Sequence, residues 1–412
     1  MNIKNFYKPS KRSFIESFIV MDVLANSKKI EESGKKVWHF ELGEPSPNTP
    51  KLVTKEAKRL IDMNIPGYTP SNGVFELRKA ISDYYRKKNV LVDPDCIFVT
   101  TGSSGAFLLT FLACFDPDDE VLIFNPSYPA YKNILNSLNI KVVEVQSNPE
   151  KNFNIDIYKV RNYSNIKGLI ISSPNNPNGQ IFTKDELEYI YGFCSENNIT
   201  VISDEIYHGI GEKKTNDSFI SLGERCFVIN SFSKYFCMPG WRLGWVIVPK
   251  NFQKNFLKLS QNLFISSNNF AQYSAIKAFE CLNELEENNE MYNMNRKYVF
   301  DTLKSTSWNK FSQSSGGFYS YINISNHSDN SLEVVNRLLR ETGVALTPGI
   351  DFDKKNGNFT KFFILNVLVV LFPTFCSEQK MNQPPQPILN GARPGKLVTF
   401  YTIRNFWNQP TS

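Results

Sequence analysis

From about residue 50 to 290, short and largely apolar β-rich runs alternate with helical patterns; the runs lie at 97–101, 120–125, 141–146, 168–173, 200–204, 226–232 and 243–248. A strand with one face in water alternates apolar and polar residues, whereas a strand covered on both faces has no reason to. Helical patterns fall between most of the runs, as at 74–88, 104–115 and 184–197. The alternation predicts an α/β chain with a mostly parallel central sheet sandwiched between helices. Residues 257–287 read as one long helix. A smaller α+β unit follows, with helix at 296–305, strand at 317–324, helix at 332–342 and strand at 344–347. The expected division is an N-terminal arm joined to the small unit (1–49), a large domain (50–290), a small domain (291–357) and an atypical tail (358–412).

Composition narrows the function classes. With 412 residues, 41% hydrophobic and 14% aromatic, the chain has material for a sizeable core and is not mainly disordered. The 46 basic against 40 acidic residues leave +6, spread without a basic block, so no nucleic-acid partner is expected. Seven cysteines without a C-x-x-C pair imply neither a disulfide framework nor a zinc site, and a reducing, cytoplasmic location fits them. Three scattered histidines offer no metal cluster. At the N-terminus, Lys4, Lys8, Lys11 and Arg12 precede an apolar stretch that Glu16 and Asp22 interrupt too early for a secretory leader, so an amphipathic helix is expected there. The apolar run FFILNVLVVLFPTF at 362–375 contains a proline and falls short of the ~20 residues a membrane helix needs. No membrane span is expected, although such a run is an aggregation hazard if exposed.

In a parallel sheet, ligands bind outside the carboxyl ends of the strands. Four of those ends are loaded with polar residues. In TGSSGA a turn at Gly102 leads to Ser103, Ser104 and Gly105 at the start of an apolar helix, which serves as a phosphate cup or as a plain serine cap. SPNNPNG places Asn175, Asn176 and Asn178 in a turn. SDEIYHG sets Asp204 at the end of a buried run, where a carboxylate needs a cationic partner, either a structural arginine or a ligand, with Tyr207 just beyond. SFSKYFCMPGWRLGW holds Ser231, Ser233, Lys234 and Arg242. Among Phe232, Tyr235 and Phe236, Lys234 is desolvated, which lowers its pKa and makes it a nucleophilic amine able to form a Schiff base. Arg242 has the fork that suits phosphate. A phosphate cup, a buried carboxylate, an activatable lysine and an Asn/Tyr pair on one sheet edge are the groups that hold pyridoxal phosphate.

In this order and spacing the motifs closely resemble the fold-type I, class I/II pyridoxal-phosphate enzymes of the aspartate aminotransferase superfamily. The likeness runs from about residue 13 to 357 through LGEPSPNTP (42–50), GYTPSNGVFELR (67–78), TGSSGA, NPSYPAY (125–131), NNPNG, SDEIY, SFSK with Arg242 eight residues on, GGFYSY (316–321) and GVALTPGIDF (343–352). It implies pyridoxal 5'-phosphate as cofactor, bound by the large domain, with Lys234, Asp204 and Tyr207 as catalytic residues. Lys234 forms the Schiff base and shuttles the proton, while Asp204 keeps the pyridine nitrogen protonated. Asn176 and Tyr207 hydrogen-bond the phenolate oxygen, and Tyr128 stacks on the ring. Ser103, Ser104, Gly105, Ser231 and Arg242 surround the phosphate, with Ser233 in the same SFSK motif. Tyr68 reaches the phosphate of a neighbouring subunit, which implies a homodimer with shared sites. Gly43 and Asn176 meet the substrate. The implied reaction is ping-pong transamination between an L-amino acid and a 2-oxo acid, a step of amino-acid biosynthesis.

One departure stands out. After PGIDF the family carries an arginine that clamps the substrate carboxylate and then a closing helix, whereas this chain reads DKKNGNFTKFFILNVL at 353–368. Lys361 is the nearest cation and lacks the bidentate fork, and Arg393 and Arg404 stand far beyond it. The change of texture at about Asn358 is read as a shifted frame or a splice or assembly artefact. If it is native, cofactor binding with weak transamination is expected. Two alternatives share the cofactor machinery: a β-lyase that releases pyruvate, ammonia and thiol, and a catalytically impaired pyridoxal-phosphate-binding paralogue.

Overall fold

The computed structural model describes residues 8–64, 67–163, 165–212, 217–313 and 315–363. The expected tail therefore lies outside the described residues from 364 on. Twelve strands are described: β1 (Trp38–His39), β2 (Ile97–Thr100), β3 (Glu120–Asn125), β4 (Lys141–Gln146), β5 (Gly168–Ser172), β6 (Thr200–Asp204), β7 (Cys226–Ser231), β8 (Gly244–Ile247), β9 (Tyr319–Asn323), β10 (Val344–Ala345), β11 (Thr347–Pro348) and β12 (Phe359–Phe363). The α-helices are α1 (Ile19–Glu32), α2 (Lys51–Asp62), α3 (Phe75–Arg86), α4 (Gly102–Cys114), α5 (Pro129–Ser137), α6 (Lys184–Glu196), α7 (Gln253–Leu263), α8 (Asn269–Ile276), α9 (Leu282–Lys304) and α10 (Ser331–Thr342).

The seven apolar runs form one sheet in the order β2-β8-β7-β6-β5-β3-β4. Pairing is parallel from β4 across to β7, and β8 alone runs antiparallel to both its neighbours. Every residue of β2, β5, β7 and β8 is buried, as the lack of alternation requires. The strand order reverses between β3 and β5, which opens a cleft at the carboxyl ends of the parallel strands. A second core joins Val23, Val37 and Phe40 to Val299, Leu303, Trp308, Val335 and Leu339, so the N-terminal segment packs with the later α+β unit.

Three expectations need correction. The helix expected over 257–287 is three pieces. The chain turns at Ile265, whose φ is +62°, and restarts where the Asn268 side chain accepts the Ala271 N–H, the ordinary asparagine N-cap. α9 then runs unbroken across the expected domain boundary at 290/291. The strand expected at 344–347 divides between two sheets, since β10 pairs with β1 and β11 with β12. The fold also does not stop at Asn358. β12 pairs antiparallel with β9 and β11, bringing Lys361 opposite Tyr321 on one side and Thr347 on the other. Phe359 anchors this strand in a small aromatic cluster with Phe153, Tyr321 and Phe352, stacking on Tyr321 at 4.9 Å between centroids. Burying such a ring is worth about 1.5–3 kcal/mol.

Candidate active site

The four loaded strand ends converge. Asp204 closes β6 and is 4% exposed. Its Oδ1 accepts the Ile206 N–H at 3.0 Å and its Oδ2 accepts the Tyr131 hydroxyl. Burial pushes its carboxyl up to about 6, against the pull of those two donors and of Lys234. The adjacent Glu205 turns to the other side, where Ser218 Oγ and the Phe219 N–H bind it, so the alternation of the strand decides which acid faces the cleft.

Lys234 follows β7 and is partly buried, its Nζ donating to the Gly43 carbonyl at 2.6 Å and lying 5.9 Å from the centre of the Tyr207 ring. Burial holds its amine down to about 8, helped by Arg242 and opposed by Glu44 and Asp204. A substantial neutral fraction at physiological pH is what a nucleophilic amine needs. Tyr207 is buried and packed edge-on against Phe318 and Tyr319. Tyr128, at the end of β3, is held edge-on by Tyr131 at 5.4 Å and by Phe18 at 5.7 Å.

At the mouth of β2, α4 begins without a side-chain cap and without an acidic residue in its first turn. Its leading N–H groups, at Ser103, Ser104 and Gly105, therefore face the cleft with a positive dipole end. The Arg242 guanidinium lies directly over Gly102, where a Cβ would come within 2.5 Å of Nη2, and Gly102 itself has φ +67°. A Cβ on Gly244 would meet the backbone of Gly102 and Ser103 at 2.9 Å. This cradle has no room for side chains and gathers a helix start and a guanidinium, so it fits a phosphate. Ser231 is buried beside it, its hydroxyl 2.9 Å from that of Ser233.

Asn176 is 9% exposed, and its Oδ1 accepts Lys361 Nζ at 2.5 Å. The lysine noted in the sequence as a poor stand-in for arginine is thus inside the site. It is 2% exposed, lies over the Tyr319 ring at 4.3 Å and the Phe352 ring at 5.0 Å, and has its pKa held well below the usual lysine value by burial and then by Lys234, with Asp351 opposing. Asp351 also receives the Ile19 and Val20 N–H groups, so it caps α1 and draws Phe18 onto Tyr128. Tyr68 is 85% exposed and its contribution within one chain is not part of this cluster. Tyr131, Asp351 and Phe18 were missed by sequence reasoning. Only Tyr131 carried a signal, being one helical step past Tyr128 in PSYPAY. No group of metal-ligating side chains occurs among the described residues, and none of their helices is long and apolar enough to cross a membrane.

An amine poised for Schiff-base formation, a buried carboxylate across from it and an anion cradle define an α/β enzyme that uses a phosphorylated aldehyde cofactor. Residues 35–360 match the family model for aminotransferases of class I and II. The chain is 36% identical over 353 residues to a valine–pyruvate aminotransferase of Mycobacterium tuberculosis, covering 84% of this chain and 91% of the relative. It is 38% identical over 357 residues to a (5-formylfuran-3-yl)methyl phosphate transaminase of Methanocaldococcus jannaschii, covering 85% and 93%. Among solved structures, an aminotransferase from Mycobacterium tuberculosis superposes with a TM-score of 0.84 at 34% identity, over 87% of this chain and 95% of the other. The chain belongs to the class I and II aminotransferases, of fold type I. It is a pyridoxal-phosphate-dependent enzyme that moves amino groups between amino acids and 2-oxo acids.

Proposed function

We propose that Lys234 is the amine that binds the cofactor aldehyde and carries the proton during transfer, and that Lys361 receives the substrate carboxylate. The observation that carries this reading is the placement of two lysines in one cleft, Lys234 on the Gly43 carbonyl and Lys361 on Asn176 Oδ1, both with pKa values lowered by burial. When bound, pyridoxal phosphate supplies an electron sink for the bond broken at the substrate Cα. The chain does the rest. Arg242, Ser103, Ser104, Gly105 and Ser231 would hold the phosphate, Tyr128 would cover the ring, and Asp204 would supply the counter-charge to the ring nitrogen. Tyr207 and Asn176 donate to the phenolate oxygen. Lys234 would take the Cα proton and return it, a task suited to an amine with a pKa near neutrality. Lys361, already on Asn176, offers a point charge to the carboxylate in place of a bidentate fork.

A homodimer is supported by the surface around Tyr68. The segments about residues 67–71 and 265–269 are tied together by Asn269 to the Gly67 carbonyl and Ser71 to the Ile265 carbonyl, and they present Tyr68, Leu263 and Ile265 at 85%, 49% and 53% exposure. Such a patch fits a second copy that receives Tyr68. We assign the enzyme to cytoplasmic amino-acid biosynthesis, in keeping with its six described free cysteines. The test is a donor–acceptor screen that begins with valine and aspartate against pyruvate and 2-oxoglutarate. Exchange of the amino group supports the reading, and release of pyruvate and ammonia from β-substituted donors without exchange favours the lyase.

A further inference from the structure

Asp204 is buried deeply enough to be pushed toward its neutral form, yet its assigned task needs the charged form. Two donors oppose burial. One is the backbone N–H of Ile206, which no side-chain change removes; the other is the hydroxyl of Tyr131. Tyr131 is 2% exposed and stands on the first turn of α5, its ring edge-on to Phe107 of α4 at 5.1 Å and to Tyr128 at 5.4 Å. One side chain therefore ties the phosphate helix, the ring-covering tyrosine and the carboxylate into a single rigid unit. The other groups that bear on Asp204 are Lys234, which favours its charge, and the neutral phenols of Tyr128, Tyr207 and Tyr319. Tyr131 is thus the side chain that both fixes the rotation of the carboxylate and hydrogen-bonds its anionic form, and a hydrogen bond to a charged acceptor is among the stronger kinds.

We propose that Tyr131 is a positioning residue for the cofactor site: its hydroxyl keeps Asp204 ionised and turned toward the ring nitrogen, so that the shared proton resides on nitrogen rather than on the carboxyl. The proposal rests on the reading that Asp204 meets that nitrogen.

The test uses Tyr131→Phe, which keeps the ring and its packing, with Asp204→Asn as reference. Wild type and both variants are loaded with pyridoxal phosphate labelled with 15N in the ring, and the nitrogen shift and cofactor affinity are measured, with thermal melting of the unloaded proteins as the folding control. Tyr131→Phe is expected to melt near wild type, to bind the cofactor roughly tenfold more weakly, and to move the nitrogen signal from the protonated toward the unprotonated position shown by Asp204→Asn. If Asp204→Asn moves the signal and a normally folded Tyr131→Phe leaves it at the wild-type position, the role of Tyr131 is refuted. If neither variant moves it, the assignment of Asp204 itself fails.

Discussion

The two halves of the cleft are built on different principles. The cofactor half hangs from the ends of β2, β6 and β7, strands in the main core, and its working groups sit at strand ends, in the turns beyond them and at a helix start. The substrate half hangs from β12, in a three-stranded sheet whose local anchor is four aromatic side chains, and its cation sits in mid-strand. A turn that must admit a phosphate demands particular residues at particular spacings, glycine at Gly102 for instance. A mid-strand lysine demands nothing of its neighbours. The first half is therefore spelled out in motifs, and the second is nearly silent in sequence.

The two halves should fail separately. Lys234→Ala is expected to lower turnover by about 10^4-fold or more if, as proposed, the amine serves as both nucleophile and proton carrier; steady-state kinetics at saturating cofactor checks this. Phe359→Ala, which hollows out the anchor of β12, should cost about 3–5 kcal/mol of stability. In denaturant titrations its loss should come first in the small unit, while pyridoxal-phosphate affinity measured below that transition stays near wild type. Parallel loss of cofactor and of the small unit would erase the distinction drawn here. Lys361→Ala should raise the KM for amino acid roughly 10–100-fold with cofactor affinity unchanged, and Lys361→Arg should recover most of the loss.

The smallest effect is in pH. Lys361 is charged at low pH and loses its charge as pH rises through a pKa that burial and Lys234 hold below the ordinary lysine value. Binding of an unreactive carboxylate analogue should therefore be tightest on the acid side and weaken as pH rises, measured by calorimetry. In Lys361→Arg the weakening should vanish, because a guanidinium stays charged throughout. A pH-independent affinity in the wild type would place the carboxylate elsewhere.

What the sequence revealed follows the same divide. The runs of β2, β5, β7 and β8 showed the sheet because a strand covered on both faces cannot hide its composition, and β3, β4 and β6 match their expected bounds residue for residue. Asp204, Lys234 and Arg242 were legible because the first ends such a run, the second follows one and the third directly precedes one. Tyr131 was not, since an aromatic residue in a helix's first turn is usually core, and only the third dimension brings its hydroxyl to Asp204. β12 is hidden in a run whose apolar texture continues past residue 363, and Lys361, which lacks an arginine's fork, carries no sequence signal of its place in the site. The break near Ile265 was missed although Ser266, Ser267 and Asn268 spell a cap, because the apolar period on either side is continuous.

The proposed division of two amines in one cleft, one for the cofactor and one for the substrate, is directly measurable. The purified enzyme, loaded with pyridoxal phosphate, is reduced with borohydride, digested, and its phosphopyridoxylated peptide identified by mass. The label is expected on Lys234 alone; a label on Lys361, or on neither, would contradict the division of the site proposed here.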